Sequence, residues 1–252
     1  MKKVALIKPE GGICSQIAFY ALYKHLESLD YEVKFDFTWY KEIGKDTNGR
    51  YPRNWDFDKA FPSLKYNIAS TEEIKNFKDN FNVYTNWMQL FPRMYIEGCC
   101  ERINLMPQYK EFFIQSFEPV NKIEIADLCL NIQSQFSCGV HIRRGDLANW
   151  HPLYGEPLEP EYFIKAISKL KFKHKDIKFY FFSDEINYVK EVIEPLIPKN
   201  IDYLIIDQND STKGYLDLYM LSKCDVIVSS RGSMAGFAQF LSRTAVLIVS
   251  KK

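Results

Sequence analysis

The stretch 136-FSCGVHIRRGD-146 decides both the fold and the candidate site. Its apolar run up to Ile142 is typical of a buried strand, and a histidine, two arginines and an aspartate lie at the end of that strand. Burying charge is costly without a partner, whereas the rigid fork of arginine matches phosphate and carboxylate oxygens. Ligands of open α/β sheets bind at the carboxyl ends of strands. The stretch therefore predicts an anion site for a phosphorylated ligand, and the alternative is a structural Arg–Asp pair on a surface turn.

Strand and helix patterns alternate along the rest of the chain. The run Ile177–Phe182 is almost wholly apolar, as expected where helices cover both faces of a sheet. Repeated βα units predict an α/β fold with parallel sheets. The predicted strands are 4–8, 31–37, 94–99, 136–142, 177–182, 203–206, 225–228 and 245–249. The predicted helices begin near 15, 71, 107, 122, 160, 185, 214 and 234.

Two further strand ends in the second half carry polar residues. Asp184 follows the strand 177–182, where it either caps the next helix or accepts N–H donors from a base such as guanine. The turn 229-SSRGS-233 precedes a helix of small residues. Hydroxyl and backbone N–H groups at such a helix start suit a phosphate, although plain βα turns have the same pattern.

The first half carries weaker signals. Gly11 and Gly12 follow the first strand, but they form neither GxGxxG nor a P-loop. The triplet Asp56–Asp58 mimics a metal-binding DxD, but no strand precedes it, so a solvated loop is favoured. The polar and aromatic segment 38–67 is expected to be a long loop with short helices, where acceptor specificity resides.

Composition excludes several classes of function. The chain has 252 residues and a net charge of +1, so its overall charge does not favour binding to nucleic acid. It contains no apolar run long enough to span a membrane, and its N-terminal apolar part is too short for a signal peptide. The six cysteines show no CxxC spacing, which favours core thiols in a reduced, cytoplasmic protein. With four histidines and none near a cysteine pair, no zinc site is expected.

Five segments, in this order and at this spacing, resemble the bacterial alpha-1,2-fucosyltransferases of glycosyltransferase family 11. That family carries the motifs GGxGNQ, HxRRGD, FSDD, DLxxMSxC and NSSFSWWG. The core HxRRxD motif is shared by alpha-1,6- and protein O-fucosyltransferases, whereas DLxxMSxC is more specific. The counterparts here are residues 11–16, 141–146, 182–185, 217–224 and 229–236.

The resemblance implies a GT-B-like fold, in which two Rossmann-type domains face a cleft. Residues 1–125 would form the acceptor-side domain and residues 126–252 the domain that binds GDP-fucose. The implied activity is inverting transfer of L-fucose in alpha-1,2 linkage to a cell-surface glycan such as an O-antigen or capsule repeat. No cofactor or metal is expected. The partners would be the nucleotide-sugar donor and an oligosaccharide or lipid-linked acceptor. Lipid-linked acceptors imply peripheral association with the inner face of the cytoplasmic membrane.

The family pattern also implies roles for individual residues. Arg143 would bind the β-phosphate and stabilise the departing GDP, and Asp146 would orient the arginines or lie near the reacting sugar. Inversion also needs a base for the acceptor hydroxyl, for which Asp146, Glu156 and Glu10 are the candidates. His141 and Asp184 would contact guanine. The remaining predicted substrate-binding residues are Arg144, Ser229, Ser230, Ser233, Gly11, Gly12 and Gln16.

Departures from the family motifs keep two alternatives open. Cys14 and Ser15 replace a glycine and an asparagine of the first motif. Residues 231–235 replace the aromatic Phe-Ser-Trp-Trp of the last motif. The changed turn at 231–235 motivates a transferase that uses a different nucleotide sugar. The lost asparagine motivates a non-catalytic relative that binds nucleotide or glycan.

Overall fold

The computed structural model describes residues 2–46, 49, 51–80, 83–84, 90–98, 106–151, 155–209 and 212–250. The contacts within the chain divide it into two compact units, Met1–Glu118 and Pro119–Lys252. We call them the first and the second unit. Both are parallel α/β domains, which confirms the predicted GT-B-like fold class.

The first unit is built around a four-stranded parallel sheet in the order β2-β1-β4-β3. The long helix α1 follows β1 and is buried over most of its surface, because ten of its sixteen residues are apolar or aromatic and all ten are buried. The strands are β1 (Lys3–Lys8), β2 (Tyr31–Phe35), β3 (Val83–Tyr84) and β4 (Arg93–Glu97). The helices are α1 (Ile13–Ser28), α2 (Thr38–Glu42), α3 (Phe57–Ala60), α4 (Thr71–Asn80) and α5 (Lys110–Ser116).

The second unit contains a five-stranded parallel sheet in the order β7-β6-β5-β8-β9. The central strand β5 is buried at every position, as its apolar sequence predicts. The strands are β5 (Ser137–Ile142), β6 (Lys178–Ser183), β7 (Asp202–Ile205), β8 (Val226–Ser229) and β9 (Val246–Ile248). The helices are α6 (Ala126–Gln133), α7 (Pro160–Lys173), α8 (Ile186–Tyr188), α9 (Gly214–Ser222) and α10 (Met234–Phe240), with 3-10 turns at Lys122–Ile125, Gly145–Leu147 and Glu194–Leu196.

The capping role predicted for Asp184 is wrong. The helix after β6 has Glu185 at its N-cap, without a side-chain cap, and it changes from α8 into a π-helical turn, Val189–Ile193. The carboxylate of Asp184 instead contacts the loop after β5, as described below.

Two other predictions can be compared directly with the structure. The segment 38–67 contains the short helices α2 and α3, as expected. Four of the six cysteines are buried free thiols, in agreement with the predicted core thiols. The other two, Cys99 and Cys100, lie outside the described residues, as does the end of the strand predicted for 94–99.

Gly139 allows α9 to pack closely against β5. A Cβ atom at this position would lie 2.6 Å from Leu221 Cδ2 and 3.1 Å from Cys224 Sγ, whereas one at Gly236 in α10 would meet nothing within 4 Å. We expect Gly139→Ala to lower the free energy of unfolding by about 1–3 kcal/mol through overpacking. The control Gly236→Ala should leave it unchanged or raise it by up to about 1 kcal/mol, since alanine favours helix. Urea denaturation measures both, and equal stability of the two variants would contradict this packing.

Candidate functional site

The candidate site lies at the carboxyl edge of the second sheet, where three strand ends meet. His141 of β5 is in register with Ser229 of β8, and Ile142 is in register with Ser183 of β6. The Ser230 N–H donates to the His141 carbonyl at 3.0 Å and joins the β5 and β8 ends. Because parallel strands end at one edge, the three polar segments predicted for the second half come together.

Arg143 is held between two carboxylates. Its Nη2 donates to Asp146 Oδ1 at 2.5 Å, and its Nη1 lies 2.8 Å from Asp184 Oδ2. The side chains of both aspartates are 13% exposed and that of Arg143 is 20% exposed, so the pairs are partly shielded from water. The Arg143 backbone N–H also donates to Ser230 Oγ at 2.7 Å. The guanidinium is therefore fixed in position before any ligand binds.

Asp184 connects the end of β6 to both arginines. Its Oδ1 accepts the Arg144 backbone N–H at 2.9 Å. Burial raises the pKa of the Asp184 carboxyl, and the Arg143 charge opposes that rise. The Arg144 guanidinium itself lies over the ring of Tyr188, 4.2 Å from the ring centre. Tyr188 is a site residue that sequence reasoning missed, because a cation–π contact from the next helix leaves no local motif.

The serine turn after β8 packs against Arg143. Ser230 Oγ accepts from Arg143 N and donates to the Arg231 carbonyl, and Ser229 Oγ donates to the Ser230 carbonyl at 2.8 Å. Gly232 has φ +99°, which favours glycine, and a Cβ there would lie 3.7 Å from Arg143 Cγ. Ser233 is the exposed N-cap of α10 and makes no side-chain capping bond. The turn thus supports the arginine and presents a hydroxyl to solvent.

His141 is a buried histidine in a cationic setting. Burial, followed by the nearby Arg143 charge, lowers its pKa from 6.5 to about 3. The imidazole is therefore neutral at physiological pH. Its Nδ1 is buried and has no hydrogen-bond partner within the described part of the chain. A buried polar nitrogen without a partner is rare and is itself a reason to expect a ligand.

Asp217 of α9 is a second residue that received no predicted role, although it opens the matched segment 217–224. Its Oδ1 accepts a hydrogen bond from Asn209 Nδ2 at 2.7 Å. Burial raises its pKa to about 7, Asn209 opposes the rise, and the negative charge of Asp184 adds to it. Asp217 therefore lies within the electrostatic reach of the site.

The predicted site residues Gly11, Gly12 and Gln16 belong to the first unit. Gln16 is fully buried, and its Nε2 donates to the carbonyls of Gly11 and Asn54, at 3.1 and 2.7 Å. Its Oε1 accepts from the Asp56 N–H at 2.9 Å. Gly11 has φ +78°, which only glycine adopts readily. This segment therefore has a structural role in the first unit, and its predicted contact with substrate stays a prediction.

The DxD-like triplet begins helix α3, so its interpretation as a solvated loop is wrong. Phe57 is fully buried, Asp56 pairs with Lys59 at 2.9 Å, and Asp58 accepts from the Tyr66 hydroxyl at 2.8 Å. Among the described residues, no group of three or more histidines, cysteines or carboxylates is arranged to hold a metal ion. The described part of the chain also contains no helix long and apolar enough to cross a membrane.

Comparison with known proteins gives a family match and several structural likenesses. The model of glycosyl transferase family 11 matches residues 60–252. An alpha-1,2-colitosyltransferase of Escherichia coli is 27% identical over 137 residues, which make up 53% of this chain and 46% of that protein. The chain thus matches about half the length of this curated relative.

Solved structures share the fold at low sequence identity. NodZ alpha-1,6-fucosyltransferase, co-crystallised with GDP, has a TM-score of 0.56 and 14% identity, with 96% of this chain and 93% of that chain covered. A mutant of Arabidopsis thaliana FUT1 in complex with GDP has a TM-score of 0.58 and 12% identity, with 99% of this chain and 70% of that chain covered. POFUT1 in complex with GDP has a TM-score of 0.53 and 10% identity, covering 98% of both chains.

The raised pKa of Asp217 predicts a pH-dependent stability difference. The folded carboxyl titrates near 7 and the unfolded one near 3.8, so its ionisation destabilises the fold increasingly between these pH values. The free energy of unfolding of Asp217→Asn should therefore rise relative to that of wild type as pH rises from about 4 to about 7. Above about pH 7 the difference between the two proteins should stay constant. The control Asp207→Asn should differ from wild type by a constant amount over this range, because Lys190 lowers the pKa of Asp207 below 3.8 and its titration lies at more acidic pH. Urea denaturation across this range measures both, and a pH-independent Asp217→Asn difference would refute the prediction.

Proposed function

This chain belongs to glycosyl transferase family 11, and we propose that it transfers L-fucose from GDP-fucose to a cell-surface glycan in alpha-1,2 linkage. The acceptor would be an O-antigen, a capsule repeat or a similar lipid-linked oligosaccharide. The observation that carries the proposal is Arg143, clamped by Asp146 and Asp184 at the carboxyl edge of β5. The likeness to NodZ, FUT1 and POFUT1, each solved with GDP, supports the choice of nucleotide.

The arrangement of Arg143 suits the departure of a nucleoside diphosphate. As the bond from the anomeric carbon to the β-phosphate oxygen breaks, negative charge develops on the diphosphate. A guanidinium fixed in advance stabilises that charge without reorganising. The Arg143 side chain is 20% exposed, so a phosphate oxygen can approach its guanidinium beside the two aspartates. The exposed Ser233 hydroxyl at the start of α10 can add a further donor.

Arg144 adds a second cation at this edge. Its backbone N–H donates to Asp184 Oδ1, whereas its guanidinium lies over the Tyr188 ring and forms no ion pair within the described residues. Asp146 and Asp184 pair with Arg143, so the charge of Arg144 is one that a diphosphate would neutralise. No metal is needed for this stabilisation.

His141 is proposed to contact the guanine base. Its neutral imidazole has a buried Nδ1 without a protein partner in the described residues. A polar atom of the nucleotide would satisfy that nitrogen and remove the cost of leaving it unpaired. Asp184 Oδ1 accepts from the Arg144 N–H, whereas its buried Oδ2 lies 2.8 Å from Arg143 Nη1 and accepts no hydrogen bond within the described residues. The proposed contact of Asp184 with guanine would therefore fall to Oδ2.

Inversion requires a base that removes the acceptor proton. Asp146 Oδ1 accepts from Arg143 Nη2 at 2.5 Å, so we assign Asp146 to orienting the arginine. Glu156 is exposed, and its carboxylate makes no ion pair within the described residues. We therefore propose Glu156 as the base from the second unit, and Glu10 stays the candidate from the first.

A second candidate function differs only in the sugar. The relative from Escherichia coli is named an alpha-1,2-colitosyltransferase, and it matches 137 residues of this chain. Residues 231–235 also depart from the family motif close to Arg143. Release of GDP from GDP-fucose and from the corresponding colitose donor, measured side by side, discriminates the two candidates.

Replacing Arg143 by lysine tests the proposed role of its fork. Lysine keeps the charge that Asp146 and Asp184 need but cannot serve them and a phosphate bidentately. We expect Arg143→Lys to slow GDP release from GDP-fucose by about 100- to 1,000-fold and to weaken GDP binding. The exposed residue Arg243 provides the control, and Arg243→Lys should behave as wild type. Wild-type turnover in a folded Arg143→Lys protein would refute the assignment.

A further inference from the structure

We propose that Trp150 and Arg231, at the rim of the candidate site, form a subsite for a sugar that carries a carboxylate. The acceptor would then be an acidic glycan, with a uronic-acid residue at or next to the sugar that is modified. This inference rests on the proposed transferase function, whose acceptor it specifies. It concerns residues of the second unit alone.

Arg231 is held in place but retains unused donors. It follows Ser230 in the turn after β8, and its Nε donates to the Glu156 carbonyl at 3.4 Å. Burial raises the pKa of the Tyr162 phenol, and the charge of Arg231 partly opposes that rise. The guanidinium therefore lies near Tyr162, at the start of α7. Within the described residues, its two terminal nitrogens have no hydrogen bond or ion pair. A guanidinium anchored through Nε presents those nitrogens to a ligand.

The other arginines of the site are committed differently. Arg143 is clamped by two aspartates, and Arg144 lies over the ring of Tyr188. Arg231 is directed towards Glu156 and Tyr162, which belong to another part of the rim. A diphosphate held by Arg143 therefore leaves Arg231 for a second anionic group. A carboxylate is the natural partner of its planar fork.

An isolated antiparallel bridge connects the chain at Trp150 to the contact of this arginine. His151 N donates to the Gly155 carbonyl at 3.0 Å, and Gly155 N donates back to the His151 carbonyl at 2.7 Å. Trp150 precedes His151 and Glu156 follows Gly155, so the bridge brings the backbone of Trp150 near that of Glu156, whose carbonyl accepts from Arg231 Nε. Trp150 is 63% exposed, and it stacks on no other ring in the described part of the chain.

The chemistry of the pair points to an acidic sugar. An exposed indole offers a flat apolar face, against which the C–H face of a pyranose can pack. The guanidinium adds a charged, bidentate contact that a neutral hexose does not need.

The test compares two probes that differ only in the carboxylate, methyl β-galactopyranosiduronate and methyl β-galactopyranoside. Saturation-transfer NMR and titration measure their binding to the full chain with GDP at saturation, so that neither probe occupies the phosphate site. We expect the acidic probe to bind at least about tenfold more tightly than the neutral one. Arg231→Gln should remove that preference, and Arg231→Lys should retain part of it. Trp150→Ala should weaken the binding of both probes.

Matched controls separate the subsite from general charge and folding effects. Arg243→Gln removes the same charge from an exposed position away from the turn, and Phe172→Ala removes an aromatic ring that is 78% exposed on α7. Both should bind the probes as wild type. The thermal midpoint of each variant with and without GDP shows that it folds and still binds nucleotide.

Three results would overturn the inference. The first is equal binding of the two probes by wild type, and the second is an equal loss of acid preference in Arg243→Gln. The third is weakened GDP binding in Arg231→Gln together with displacement of the acidic probe by GDP, which would assign Arg231 to the donor. Failure of the proposed function looks different, because wild type would then show no stabilisation by GDP, whatever the probes do.

Discussion

The ion pairs of Arg143 with Asp146 and Asp184 are the interaction on which the site depends. A partly buried guanidinium at the end of an apolar strand would be destabilising alone, and each aspartate would be destabilising without it. The three groups come from the β5 end, the 3-10 turn at Gly145–Leu147 and the β6 end. The pairing therefore fixes two strand ends and a turn relative to one another. The Ser230 contact with Arg143 N adds the end of β8.

The same contacts serve stability and ligand binding. Two groups at this edge are poorly satisfied by the protein alone, because His141 has a buried nitrogen without a partner among the described residues and Asp217 has a raised pKa. Both conditions reduce stability in the absence of a ligand. A loss of stability from such groups is expected at a site where the ligand, rather than the protein, supplies their missing partners. The edge of the second sheet is accordingly the part of the chain where stability and function are most closely linked.

The sequence predicts the second sheet well, for a physical reason. Strands such as β5 and β6 are buried on both faces, so their apolar runs begin and end within about one residue of the observed bounds. The HIRRGD segment also predicts an anion site, which stays a prediction, and the structural Arg–Asp pair that was its alternative is present between Arg143 and Asp146. Arg143 and Asp184 are forty-one residues apart, so their contact can be predicted only from the sheet order, which places β6 beside β5. Local capping rules assigned Asp184 to its own helix because they consider only neighbours in sequence. Phe57 shows the same limit, because its burial depends on packing against Tyr20 of α1 and Phe61, the residue that follows α3.

Nucleotide binding by the purified chain tests the central claim most directly. A ligand that binds only the native state raises the thermal midpoint by mass action, so GDP, GDP-fucose, GDP-mannose, UDP and CMP can be compared in one experiment. If the carboxyl edge of β5 is a donor site for GDP-fucose, GDP and GDP-fucose will raise the midpoint, and UDP and CMP will not. Stabilisation by UDP or CMP instead, or by none of the five, would contradict that claim. The HIRRGD segment would then serve another donor or the structure of the turn alone.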